Sequence, residues 1–128
     1  MCYSIRCFLL PEPSRKIAIF AFNGELPCFA HALLNAMDME SKGYDVRLVI
    51  EGCATALLPE LADPKKPFSS LFARVKGAGL IDCVCMACAT QSGGLKSAEE
   101  QRLPLCDEMS GHPSMAKYID MGYAIIVI

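Results

Sequence analysis

Lys16-Ile-Ala-Ile-Phe-Ala-Phe22 sets six apolar residues in a row behind one lysine and stops at Asn23-Gly24. So continuous a run, rich in β-branched and aromatic residues, suits a strand buried on both faces, as in a parallel sheet. Helical spacing follows. Leu26, Phe29, Ala30, Leu33 and Met37 share one face before Gly43, which predicts a helix over residues 26–42 with a glycine at its end. Asp45-Val-Arg-Leu-Val-Ile50 then reads as a second strand.

The alternation continues along the chain. Ala54 to Leu61 has helical spacing until Asp63-Pro-Lys-Lys-Pro67 breaks it, and Phe68 to Lys76 resumes with Leu71, Phe72 and Val75 on one face. Leu80 to Cys85 is a third strand, followed by a loop and a helix from about Leu95 to Arg102. Leu103-Pro-Leu-Cys106 is a short strand whose proline places it at an edge. Ser110 is the expected N-cap of a helix with Pro113 near its start, running to Met121. Tyr123 to Ile128 is the last strand. Strands alternating with helices predict an α/β domain with a parallel sheet covered on both faces. Pro11, Pro13 and Ser14 mark residues 1–15 as an appendage, leaving residues 16–128 as a single domain.

The chain has 128 residues, 53% hydrophobic and 20% charged, with a mean hydropathy of +0.33. Those values exclude a disordered chain. A net charge of −2 provides no basic field for nucleic acid or anionic lipid. The longest stretch without Asp, Glu, Lys or Arg, Cys83 to Leu95, is too short to span a bilayer. The first residues lack the basic and apolar regions of a secretion signal, so the expected compartment is the cytoplasm, with its thiols free.

Chemistry is expected beyond the carboxyl ends of the strands, where parallel sheets hold their ligands. Cys28, Cys53, Cys85 and His112 each end or follow a strand there, so all four should share one edge. Cys85-Met-Ala-Cys88 has three readings: a redox dithiol, half of a zinc site, or a carrier of reactive sulfur. No second C-x-x-C accompanies it, so a metal would need Cys85, Cys88 and His112 or another distant residue. His31, one turn after Cys28, is an accessory candidate with Cys28 and His112. Cys2, Cys7, Cys53 and Cys106 read first as small core hydrophobes. Glu51, Asp107 and Glu108 read first as solvated loop carboxylates. Phosphate-binding glycine loops and a G-x-S-x-G elbow are missing, and the acidic Asn23-Gly-Glu25 loop speaks against a flavin phosphate. No resident cofactor is expected.

From Lys16 to Ile128 the chain resembles the DsrE/DsrF-like family of small sulfur-relay proteins, which includes the TusD type. The likeness lies in element order and in Leu80-Ile-Asp-Cys-Val-Cys-Met-Ala-Cys-Ala-Thr-Gln-Ser-Gly93. Cys85 falls where that family closes its third strand with a reactive cysteine, Gly93 matches a later loop glycine, and Cys88 matches a second cysteine of some members. Cys28 to Ala36 and Ser110-Gly-His-Pro-Ser-Met115 also resemble a subgroup of cytoplasmic proteins without an assigned role. The resemblance implies a flavodoxin-like three-layer α/β/α domain, a mainly parallel sheet of about five strands, and a homo-oligomer, trimer or hexamer. It further implies persulfide transfer through Cys85. Thr90, Gln91 and Ser92 are neutral where relay members carry basic residues.

The leading expectation is therefore a cytoplasmic sulfur carrier or sulfurtransferase. Cys85, its pKa lowered by helix N–H groups, would hold a persulfide, and Cys88 would resolve it. Sulfur-donor and sulfur-acceptor proteins would be its partners, with no nucleic acid or membrane among them. The alternatives are a metal- or ligand-binding module and a non-catalytic interaction subunit. An apolar last strand without a following helix adds an expectation of self-association.

Overall fold

The computed structural model describes residues 15–128. Cys2, Cys7 and all but the last residue of the expected appendage lie outside them. Arg15, that last residue, belongs to the domain edge: its carbonyl accepts the Asp45 N–H at 2.7 Å.

Five parallel strands form one sheet: β1 (Lys16–Ala21), β2 (Asp45–Ile50), β3 (Ile81–Cys85), β4 (Leu105–Cys106) and β5 (Ala124–Val127). Their order is β4-β3-β2-β1-β5. Winding runs one way from β1 to β4, then the chain returns past β1 to lay down β5. Right-handed crossovers consequently place the helices of the first three connections on one face and the helix of the last on the other. The first set is α1 (Leu26–Ser41), a 3₁₀ turn (Gly52–Leu57), α2 (Leu58–Leu61), α3 (Ser69–Gly77), α4 (Met86–Ser92) and α5 (Leu95–Glu100). The last is α6 (Met115–Asp120). The predicted three-layer α/β/α class is the observed one.

The period of two along β1 sorts its side chains between two cores. Ile19 and Ala21 join Phe29, Leu33 and Phe72 in the larger core under the first set of helices. Ala18 and Phe20 face Tyr118 of α6 in the smaller one, where the Phe20 and Tyr118 rings meet edge to face at 5.4 Å. A bulge interrupts the β2–β3 ladder. Leu48 lies opposite Ile81 but Val49 opposite Cys83, leaving Asp82 as the extra residue. Asp82 accepts the Tyr118 hydroxyl and pairs with Arg47 at 2.9 Å, which ties α6 to the sheet.

Several local expectations are corrected. Helix α4 begins directly after Cys85, so Cys88 lies in its first turn and not in a loop. The N-cap of α6 is Ser114, whose hydroxyl accepts the Lys117 N–H at 3.4 Å, and not Ser110. Nor are all thiols free: Cys83 and Cys106 form a disulfide. Adjacent strands with both side chains in the smaller core bring their Cα atoms to 5.8 Å, inside the range a disulfide needs. The bond anchors the two-residue β4 to β3.

Closing a loop with a sequence separation of 23 stabilises a domain by about 3 kcal/mol in the chain-entropy treatment. The Cys83→Ser/Cys106→Ser variant should therefore lose about 3 kcal/mol in urea unfolding followed by circular dichroism. A strong reductant should bring the parent protein to the same midpoint, and an unmoved midpoint would contradict the bond.

Candidate functional site

Three segments converge at the carboxyl edge of the sheet. Glu51 directly follows β2, in extended backbone, and its carboxylate caps the 3₁₀ turn by accepting the Gly52 N–H at 3.3 Å. Cys85 ends β3 and Cys88 follows in α4, whose first turn directs the Cys88 N–H onto Cys85 Sγ at 3.4 Å. His112 comes from the 107–114 segment that joins β4 to α6. That segment folds on itself: Met109 and His112 exchange N–H···O bonds of 2.8 and 3.0 Å. It docks on α4 through the Ala87 N–H to Gly111 carbonyl bond of 2.9 Å. Gly111 has φ +92°, and a Cβ there would stand 3.1 Å from Ala87 Cβ. The positive φ favours glycine here, and the close approach to Ala87 leaves a side chain little room.

The result is a cluster of four side chains, Glu51, Cys85, Cys88 and His112, whose donor atoms all lie within 4.8 Å of one another. His112 Nδ1 is 3.2 Å from Cys85 Sγ and 3.7 Å from Cys88 Sγ, and Cys88 Sγ is 3.6 Å from Glu51 Oε1. Around a tetrahedral zinc with its usual bond lengths, neighbouring donor atoms stand about 3.5–3.8 Å apart. The three separations match that geometry to within a few tenths of an ångström.

Glu51 is 5% exposed and Cys85 0%. The reading of Glu51 as a solvated loop carboxylate is overturned; Asp107 and Glu108 are exposed as expected. Among the described residues no lysine or arginine pairs with Glu51. Three groups that can carry negative charge thus crowd one imidazole, with Glu51 and Cys85 buried and Cys88 and His112 half-buried. Burial is the largest influence on the Cys85 thiol and pushes it up, to about 12; the Cys88 N–H opposes the rise, while the Cys88 thiol and Glu51 add to it. The expected activation of Cys85 is therefore reversed. Backbone N–H donation is present, but loss of solvent outweighs it.

The remaining candidates stay apart from this cluster. Cys28 and His31 are exposed on α1, and Cys53 is exposed on the 3₁₀ turn. All follow carboxyl ends of strands, so the common edge exists, but only Cys85 and His112 of the four expected residues meet there. Glu51 is the member that sequence reasoning set aside. Its signal was position: it is the residue directly after β2, in line with Cys85 at the end of β3. A cavity of about 450 Å³ opens beside the cluster, lined by Glu51, Cys88, His112 and the apolar Phe22, Met109 and Met115 among others.

Fold and site together define a parallel α/β domain with a half-buried Glu/Cys/Cys/His cluster at the carboxyl edge of its sheet. The chain is 35% identical over 101 residues to the uncharacterized protein MJ0733 of Methanocaldococcus jannaschii, across 79% of this chain and 80% of that protein. It belongs to the family of that protein. Two uncharacterized proteins of Archaeoglobus fulgidus match shorter stretches. One is 41% identical over 44 residues, 34% of this chain and 72% of its own length. The other is 43% identical over 35 residues, 27% of this chain and 95% of its own. No family model matches the chain, and neither does any solved structure at a significant level. Among the described residues no helix is long and apolar enough to cross a membrane.

A thiol whose pKa is raised on folding binds its proton more tightly in the folded state. Its contribution is full below the unfolded value near ~8.5 and is lost as pH rises toward the folded value. Metal-free protein should therefore lose stability in alkali from about pH 9 upward, and Cys85→Ala should flatten that slope. Tyr118 and Tyr123, also pushed up by burial, leave a residual slope in both proteins. Equal slopes in denaturant titrations would show Cys85 to be solvated.

Proposed function

We propose that the protein is a metal-binding module whose centre holds one divalent ion, zinc, on Glu51, Cys85, Cys88 and His112. The observation that carries this reading is the convergence of four donor atoms to within 4.8 Å of one another in a half-buried site. Two sulfurs, one imidazole nitrogen and one carboxylate oxygen form a donor set of the borderline-soft kind that zinc takes in tetrahedral sites. A dication also resolves the electrostatic problem of the cluster. It favours the thiolate at Cys85 against desolvation and neutralises the Glu51 carboxylate, with which no lysine or arginine pairs among the described residues. Protein prepared without chelator should contain about one zinc per chain by elemental analysis. Cys88→Ser and His112→Ala should each lower its affinity at least about tenfold, while Cys28→Ser and Cys53→Ser should leave it unchanged. Metal-free preparations that take up no zinc or cobalt would refute the reading.

A second reading, sulfane-sulfur carriage, is favoured by one observation: Cys88 is a partly exposed thiol beside the cavity, with Cys85 and His112 next to it. In metal-free protein Cys88, not Cys85, would then be the accepting residue. Its thiolate would attack the outer sulfur of a donor persulfide, forming Cys88–S–SH and releasing the donor thiolate. Cys85, giving its proton to His112, would attack the Cys88 sulfur, release hydrosulfide and leave a Cys85–Cys88 disulfide. The sulfane atom is reduced and the two thiols are oxidised, so the step balances. Donor and acceptor proteins would meet the cavity mouth, in a cytoplasmic homo-oligomer built on β5. After incubation with a small-molecule persulfide, mass spectrometry should place the added sulfur on Cys88. Undiminished loading of Cys88→Ser would exclude this reading.

A further inference from the structure

The cavity beside the cluster separates its chemistry sharply. Its exposed lining is almost wholly apolar, and its volume falls within the ~300–1,000 Å³ of small-molecule sites. The polar side chains that reach it are Glu51, Cys88 and His112, all members of the cluster, together with Ser114. Ser114 is already engaged in capping α6. Among the described residues no lysine or arginine lines the cavity. A ligand here can satisfy one polar atom, at the metal, and must be apolar elsewhere.

Glu51 is the donor best able to give way. It is the hard oxygen in a set otherwise made of sulfur and imidazole, and its Oε1 has a second partner in the Gly52 N–H. An incoming carboxylate or alkoxide would exchange one oxygen for another while losing its own freedom of motion, which gives no net gain. A thiol offers a softer donor in exchange.

We propose that the cavity binds a small uncharged thiol with a compact apolar body, as an exchangeable ligand of the metal. The inference rests on the metal reading above. In the exchange the metal–oxygen bond to Glu51 breaks and a metal–sulfur bond forms. The S–H proton passes to the Glu51 carboxylate, which remains hydrogen-bonded to Gly52 as a neutral acid. Nothing is oxidised or reduced, and the bound ligand becomes a thiolate held in an apolar chamber.

The test uses the full-length protein loaded with cobalt(II), whose absorption reports both coordination geometry and sulfur ligation. Propane-1-thiol should raise the sulfur-to-cobalt charge-transfer band saturably, by about half, as three thiolates replace two. Propionate should leave the band unmoved, and 2-mercaptoethanesulfonate should bind at least about tenfold more weakly than propane-1-thiol. Ala116→Phe, at an exposed position lining the cavity, should weaken propane-1-thiol binding roughly tenfold or more while preserving the cobalt spectrum. A tetrahedral cobalt spectrum that propane-1-thiol does not change would overturn this inference and leave the metal reading standing. Equal binding by the sulfonate, or by the Ala116→Phe variant, would overturn it as well. If no tetrahedral cobalt forms at all, the metal reading itself fails.

Discussion

Winding a parallel sheet in one direction through four strands leaves the chain at the far edge, beyond β4. The fifth strand adds to β1 on the other side, so the final connection must travel back along the opposite face. That return carries residues 107–114 past the carboxyl ends of the strands, which is how His112 reaches Cys85 across 27 residues of chain. It also leaves α6, six residues long, to cover the second face. The ties that hold the return in place therefore matter out of proportion to their number: Tyr118 to Asp82, Ala87 to Gly111, and the Cys83–Cys106 bond. With β4 two residues long, the disulfide is what gives the segment leading to His112 a firm starting point.

Electrostatics then ranks the chemistry open to the site. A strand-end cysteine beside helix N–H groups is an arrangement that lowers a thiol pKa when water and cations share the work. Here Cys85 is fully buried, no lysine or arginine acts on it among the described residues, and the charged group that does is the Glu51 carboxylate. The N–H from Cys88 stabilises a thiolate by an amount that desolvation exceeds. A proton or a metal ion can settle such a site. With its proton Cys85 is a poor nucleophile at neutral pH, and a dication would favour its thiolate instead. The same crowding that weakens the case for Cys85 as a free nucleophile strengthens the case for a cation.

Much of this was legible in the residues. The unbroken apolar run at Ile17–Phe22 reported burial on both faces, and β2 falls on residues 45–50 as its hydrophobic pattern states. Cys85, Cys88 and His112 were identifiable because each adjoins the carboxyl end of a strand. Pairings between distant segments were not legible. Cys106 meets Cys83 only because β4 lies beside β3, and spacing along the chain carries no record of that neighbour. Glu51 was misjudged for a related reason. A glutamate after a strand is usually solvated, and its burial follows from α4 and the return segment closing over it. Helix α4 was missed because Met86–Ser92 is short and polar at its end, with periodicity too brief to register.

Metal binding and sulfur carriage compete for the same lone pairs on Cys88. A persulfide on that sulfur would lengthen the side chain by one atom beside the cavity that Cys88 lines. A metal in the cluster ties up the Cys88 lone pairs and removes it as a nucleophile. On these two readings the states would exclude each other chain by chain, and their balance would follow metal activity against sulfane-sulfur supply. Cys85 behaves differently in the two. As a metal ligand it is a permanent thiolate, whereas in the metal-free protein it must lose a tightly held proton to His112 before it can resolve a persulfide. On the metal reading that asymmetry would favour the metal-bound form at rest, because there the buried Cys85 thiolate and Glu51 carboxylate no longer depend on a proton.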